Sequence, residues 1–395
     1  MKRIPLTWHT LGAEEAVSAA EVLASGKTLV DGEQLAAFER EFADFVGAKF
    51  AVATSSCTAA LEACYLALGL KSGDEIVTTP LTFHATASAA IRAGATVRFA
   101  DIVPGAWHLD PARTLRACSE RTRAVVPVHL FGIPADILAF EKIVDGTGAV
   151  VIEDAAHAAG SRYRDGSRVG SRPNNLCCFS FNSQKPMSAG EGGMVTTGNE
   201  ELASWIRTIV RQGMLRKCEL RDQVFPGIKG AMGEVQAAIG RVQLRKLDGH
   251  NAERARLARL YAVRLDGLKG VEVGLPDLTQ ATMMPLLVIK RAAVAVGLLA
   301  ESIESAVHYQ PVHLLSEWRR RRGIGGRGSF VYAEERASYA LSVPLFPGLE
   351  DSEVKHVVDV LARVACPTTH RSHETALPSA PLLAPPLASP EQPTT

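Results

Sequence analysis

The stretch Cys178-Phe-Ser-Phe-Asn-Ser-Gln-Lys185-Pro-Met-Ser-Ala-Gly-Glu-Gly-Gly193 continues a β-type run, Leu176 to Phe181, and sets one lysine among small residues and glycines. Such residues admit close backbone approach and unusual dihedrals but supply little side chain to a core. Taken alone, the stretch is best explained as a solvated loop lysine after a strand. The sharper reading is an amine in a crowded pocket, where desolvation lowers its pKa and makes Lys185 a nucleophile. The surrounding sequence decides between the two.

Working outward, Val150 to Glu153 is a short apolar run ending in Asp154, with His157 three residues on. The same pattern extends upstream, with strands at Phe50–Thr54, Glu75–Thr79, Thr96–Ala100 and Ala124–Val128, and helices over 59–70, 85–92 and about 135–144. Short apolar strands alternating with helices predict an α/β fold with a mostly parallel central sheet covered on both faces. Ligands gather at the carboxyl ends of the strands in such sheets, and Phe83, Asp154 and His157 all fall just past a strand end. The first strand breaks through Ser55-Ser56-Cys57-Thr58 straight into a helix. Free N–H groups and the helix dipole then converge on one point suited to a phosphate, although a plain N-cap also explains the hydroxyls. Ahead of that strand, residues 12–25 read as a helix. So does the series Leu35, Phe38, Phe42, Phe45, stopped at Gly47.

Past residue 200 the sheet pattern fades. Residues 233–265 read as one long helix or two, and about 268–365 as a smaller α/β unit. From Cys366 onward the chain is proline-rich and buries too little apolar surface to offset its ordering entropy, so disorder is expected there. The expected division is a large domain over 1–245, a small C-terminal domain over 246–365 and a tail over 366–395. Of the 395 residues, 47% are hydrophobic and 22% charged, an ordinary balance for a globular enzyme. A formal net charge of +1 offers no field to attract nucleic acid or an anionic membrane. The seven cysteines show no C-x-x-C spacing, so neither a disulfide framework nor a zinc or other metal site is expected. The N-terminus lacks a signal-peptide core and no apolar run approaches the ~18–20 residues of a membrane span, so a reducing cytoplasm is the expected setting.

A phosphate cradle, an aromatic residue, an acid at a strand end and a lysine beyond it are the parts that pyridoxal 5'-phosphate (PLP) requires. The lysine forms the resting Schiff base. The acid pairs with the pyridinium nitrogen, so that the ring can take up the electrons left when a substrate loses its α-proton.

Longer motifs join these residues. They are Ser56-Cys57-Thr58-Ala59-Ala60-Leu61, Gly73-Asp74-Glu75-Ile76-Val77, Pro127-Val128-His129-Leu130-Phe131-Gly132, Glu153-Asp154-Ala155-Ala156-His157, the Ser180-to-Gly193 segment and Glu234-Val-Gln-Ala-Ala-Ile-Gly240. Through them the sequence resembles the DegT/DnrJ/EryC1/StrS family of sugar aminotransferases, from about residue 4 to 365. The resemblance implies PLP-dependent transferase fold type I, the aspartate aminotransferase-like fold. It makes Lys185 the Schiff-base lysine and proton shuttle, and Asp154 the partner of the ring nitrogen. His157 would reach the ring hydroxyl and Phe83 stack on the ring, with Cys57, Thr58 and Ser180 on the phosphate. His308, Tyr309 and His313 match a loop over the active site and are candidate substrate contacts. The family's G-x-N-x-R-M segment is here Gly227-Ile-Lys229-Gly-Ala231-Met232. By resemblance Lys229 would reach the phosphate of a neighbouring subunit, implying a homodimer with shared active sites.

Three positions depart from the family pattern: Cys57 replaces a glycine, Lys229 an asparagine and Ala231 an arginine. The segment Ala281-Thr-Met-Met-Pro285 also lacks the polar and aromatic residues common at that strand start. His129 reads equally as sugar contact and structural histidine, the Arg319–Arg322 run as a solvated surface ahead of a clamp on a nucleotide diphosphate, and Glu191 as a loop organiser. The resemblance implies transfer of an amino group from L-glutamate, through pyridoxamine 5'-phosphate, to a nucleotide-linked keto-deoxysugar in amino-sugar biosynthesis, for an antibiotic or a surface polysaccharide. A keto-cyclitol is the alternative acceptor. A PLP-dependent sugar dehydratase is disfavoured because the best-known ones carry histidine where this chain has Lys185. Intact Lys185 and Asp154 disfavour a non-catalytic partner protein. A dinucleotide-binding oxidoreductase is disfavoured because no G-x-G-x-x-G follows the first strand.

Overall fold

Strands covered on both faces must be apolar on both, and the alternation here divides their side chains between two cores. Val52, Ile76, Val126, Ile152, Cys178 and Val195 face one side, and Ala51, Val77, Val125, Val151, Cys177 and Phe179 the other. The computed structural model describes residues 3–217, 220–321 and 323–365. The expected tail over 366–395, together with Cys218, Arg322 and Cys366, lies outside the described residues.

The strands of the main sheet are β1 (Phe50–Thr54), β2 (Glu75–Thr78), β3 (Thr96–Phe99), β4 (Thr122–Val126), β5 (Val150–Asp154), β6 (Leu176–Ser180) and β7 (Gly193–Thr197). They lie in the order β1-β7-β6-β5-β4-β2-β3, and only β7 runs against the others. Helices α1 (Ala13–Ala24), α2 (Glu33–Val46), α3 (Cys57–Ala67), α4 (Ala85–Arg92), α5 (Pro111–Ala117), α6 (Ile137–Val144) and α7 (Glu200–Val210) flank it, and β8 (Met214–Lys217) and β9 (Leu220–Gln223) form a hairpin. The α/β architecture with a mostly parallel sheet is as the sequence implies. The sequence reading did not give α5, β7, α7, β8 or β9. β7 begins on Gly193, whose glycines look like a loop, and α5 is a short helix capped by Asp110 ahead of Pro111.

Residues 234–265 form one uninterrupted helix, α8 (Glu234–Leu265), which runs straight through the expected boundary at residue 245. The Glu234 carboxylate accepts the N–H groups of Gly32 (2.9 Å), Gln34 (2.9 Å) and Leu35 (3.1 Å). It thereby satisfies the free donors and dipole at the start of α2. Two turns on, the Phe38 ring lies against Gly240, where an added Cβ would come within 2.8 Å of it. The Glu234-x5-Gly240 motif is therefore a helix-docking device. Beyond α8, strands β10 (Val271–Val273), β11 (Met284–Val288) and β12 (Ala340–Val343) form a small antiparallel sheet with α9 (Arg291–Ala300), α10 (Ser316–Arg319), α11 (Val331–Tyr339) and α12 (Asp351–Ala365). Their apolar cluster includes Leu257 and Tyr261 of α8 and reaches Leu81, Trp107 and Phe131 of the large unit.

Gly193 stands in register between Thr54 of β1 and Ser180 of β6. A Cβ there would meet the Ser56 carbonyl and the Cys57 nitrogen at 2.5–2.7 Å, all backbone atoms. Gly190 sits at φ +79° with nothing within 4 Å. Gly193→Ala is therefore expected to cost about 1–3 kcal/mol through overpacking, and Gly190→Ala about 1 kcal/mol through backbone strain alone. Denaturant titration of both variants checks the order.

Candidate active site

A cavity of about 370 Å³ opens at the carboxyl ends of β1, β2, β5 and β6. Cys57, Thr58, Phe83, Asp154, His157, Ser180, Lys185, His308 and Tyr309 all line it. Two sequence candidates do not. His313 is buried away from the cavity, with Nε2 3.0 Å from Glu334 and its ring packed on Phe330. Its contacts in this chain are those of loop packing, the alternative role the sequence left open. Lys229 pairs through its backbone with Arg211 and is absent from this chain's own cavity lining.

Ser56 caps α3, its hydroxyl accepting the Ala59 N–H at 3.1 Å, and the first bond of the helical ladder runs from Ala60 N–H to the Ser56 carbonyl. The N–H groups of Cys57 and Thr58 precede that ladder and remain for a ligand at the positive end of the helix dipole. Cys57 opens the helix with its thiol turned inward, donating to the Cys178 carbonyl at 3.6 Å. Burial pushes the thiol pKa well up, with the Asp154 charge adding to it. The replacement of glycine by cysteine is thus accommodated in the core.

Asp154 ends β5 with one carboxylate oxygen accepting the Ala156 N–H (3.1 Å) and the other the Thr86 hydroxyl (2.7 Å). His157 Nδ1 accepts the Phe131 N–H at 3.2 Å, so the neutral ring carries its proton on Nε2, 3.1 Å from the Tyr309 hydroxyl. Burial holds the His157 pKa well below the usual histidine value, and the Lys185 and His308 charges add to this. Phe131 reaches this geometry at φ +60° in a turn with Gly132, and its carbonyl accepts the Thr282 N–H ahead of β11. Phe83 is 48% exposed, an open aromatic face 5.7 Å from the Tyr309 ring.

Lys185 is half-buried, and its amine pKa lies below the ordinary lysine value because of burial, opposed by the nearby acids Asp154 and Glu191. Its loop is closed at the base by Phe181 N–H donating to the Gly192 carbonyl, and Met187, Ser188 and Ala189 beyond it are buried. From α8, Arg254 donates to the Pro186 carbonyl (2.9 Å) and Gln243 accepts the Ser188 N–H (3.3 Å). Asn251 donates to the Ala159 carbonyl at 2.9 Å. Arg254 was invisible in the sequence because it lies in a charge-rich helix that reads as solvated; it is buried, and burial lowers its pKa to about 10. Glu191, read as a loop organiser, does bond Asn182 but also lines the cavity. His129 has a structural place, its Nδ1 accepting the Ala135 N–H and its Nε2 donating to buried Glu153 at 2.8 Å.

His308 is buried with Nδ1 2.8 Å from the Ser342 hydroxyl, and its pKa falls to about 4 through burial and then the Lys185 charge. In the unfolded chain it would titrate near 6.5. Between those values the unfolded state binds more protons than the folded one, so stability is present above pH 6.5 and is lost as pH falls toward 4. The cofactor-free protein should lose roughly 2 kcal/mol from this group by pH 5. His308→Gln should flatten that part of the slope in denaturant titrations across pH 5–7.

The sequence pattern of the DegT/DnrJ/EryC1/StrS aminotransferase family matches residues 9–362. The spore coat polysaccharide biosynthesis protein SpsC of Bacillus subtilis is 35% identical over 377 residues, which cover 91% of this chain and 96% of that protein. The crystal structure of DesV from S. venezuelae matches with a TM-score of 0.87 at 33% identity, over 93% of this chain and 100% of that one. The aminotransferase TlmJ from Streptoalloteichus hindustanus matches with a TM-score of 0.84 at 28% identity, over 92% and 98%.

Proposed function

This chain belongs to the DegT/DnrJ/EryC1/StrS aminotransferase family and is a PLP-dependent aminotransferase, and we propose that it moves an amino group from L-glutamate to a nucleotide-linked keto-deoxysugar. The observation that carries the reading is the convergence of Lys185, Asp154 and His157 with a helix N-terminus on one cavity. The donor set fits PLP. Uncommitted N–H groups at the start of α3 suit its phosphate, an ionised carboxylate suits its ring nitrogen, and the Nε2 proton of neutral His157 suits its ring oxygen.

When bound, PLP supplies an electron-withdrawing ring that stabilises the carbanion formed at the amino-bearing carbon. The N–H groups of Cys57 and Thr58 would hold the phosphate, with Ser180 beside them. Phe83 would cover one face of the ring. Asp154 would keep a proton on the ring nitrogen. Lys185, with its depressed pKa, is a neutral amine over a wider pH range than free lysine, so Nζ can attack a carbonyl carbon and can hold and return the migrating proton. His308 and Tyr309 close the cavity from the small unit and face the substrate. A second copy of the chain completes the site by placing Lys229 near the phosphate, and the enzyme works in the cytoplasm. Among the described residues no helix is long and apolar enough to cross a membrane.

Borohydride treatment of the purified protein should fix the cofactor to the peptide containing Lys185, and label on another lysine would overturn that assignment. The acceptor is tested by offering keto-sugar nucleotides and keto-cyclitols with L-glutamate and following 2-oxoglutarate. Turnover of keto-cyclitols alone would replace the proposed acceptor. Sedimentation should show a dimer, and Lys229→Ala should weaken PLP binding about 10-fold for one lost charged contact. An active monomer would remove the shared site.

A further inference from the structure

Thr86 lies in the first turn of α4, fully buried, and nothing in its sequence context marks it. Its hydroxyl oxygen is 2.7 Å from Asp154 Oδ2, 2.8 Å from the Thr82 hydroxyl and 3.0 Å from the Phe83 carbonyl. A hydroxyl has one proton to give. An ionised carboxylate is the strongest acceptor of the three, so Thr86 donates to Asp154 and accepts from Thr82. The Tyr65 hydroxyl donates to the Thr86 carbonyl at 2.9 Å and fixes the backbone that presents it.

We propose that Thr86 is a positioning residue that decides where the proton shared between Asp154 and the cofactor ring nitrogen resides. The inference rests on the reading of Asp154 as the partner of that nitrogen. Each hydrogen bond donated to the carboxylate stabilises its negative charge and makes it a weaker base. With Ala156 N–H on one oxygen and Thr86 on the other, the proton stays on the ring and Asp154 stays anionic. Removing the Thr86 hydroxyl strengthens the base, and the same proton moves toward Asp154 without any change in the number of protons held. The ring then withdraws electrons less strongly.

The test uses holoenzyme carrying PLP isotopically labelled at the ring nitrogen. In Thr86→Val the nitrogen resonance should move toward its unprotonated position, and the rate of the L-glutamate half-reaction should fall about 10- to 100-fold, the scale of one charge-assisted hydrogen bond. Thr86→Ser, which keeps the hydroxyl, should restore both. A merely structural role would lower the melting temperature and leave the resonance in place. Thr86→Ala serves the same purpose if the valine variant does not fold. A wild-type resonance in a hydroxyl-free variant overturns the inference about Thr86. A wild-type resonance in Asp154→Asn overturns the reading of Asp154 itself, so the two failures are distinguishable.

Discussion

The site depends on a carboxylate that never meets water. Glu153 is fully buried, and burial of an ionised group is tolerable only if donors surround it. Here Tyr163 (2.6 Å), His129 (2.8 Å) and Asn175 (2.9 Å) donate to its two oxygens. These three residues come from the loops on either side of β5, so satisfying one charge ties those loops together. The pleat then sends the neighbouring residue, Asp154, to the opposite face. One acid anchors the strand end and the next is delivered to the cavity.

Much of this was legible in the sequence because it rests on local rules. Apolar runs of strand length, the small hydroxyl residues before α3 and the acid ending β5 each follow from backbone geometry at that point. So did the long helix, although only packing at both ends showed that it is continuous. The unread parts depend on contacts between distant segments. Arg254 is 68 positions from Pro186, and Thr86 is 68 from Asp154. His313 is the complementary case: its pattern suggested a ligand contact or loop packing, and its partner Glu334 arrives from a helix later in the chain.

Gly192 and Gly193 show how one pattern carries two meanings. As sequence they signal a loop. In the fold Gly192 leads into the strand that Gly193 begins, and the pair must lie against the backbone at Ser56 and the side chains of Met232 and Phe181. Close approach, and no turn, is what excludes a side chain there. The same economy of space places the start of α3 and the ends of β1 and β6 around one point.

Helix α8 caps α2 through Glu234, grips the Lys185 loop through Gln243 and Arg254, and enters the small-unit core at Leu257. An unbroken helix is stiff along its axis, so it joins the small unit to the segment carrying Lys185 as one rigid span. The small unit also contributes His308 and Tyr309 to the cavity lining, across from Lys185. Two walls of one cavity, more than a hundred residues apart in the chain, are thus braced by a single helix.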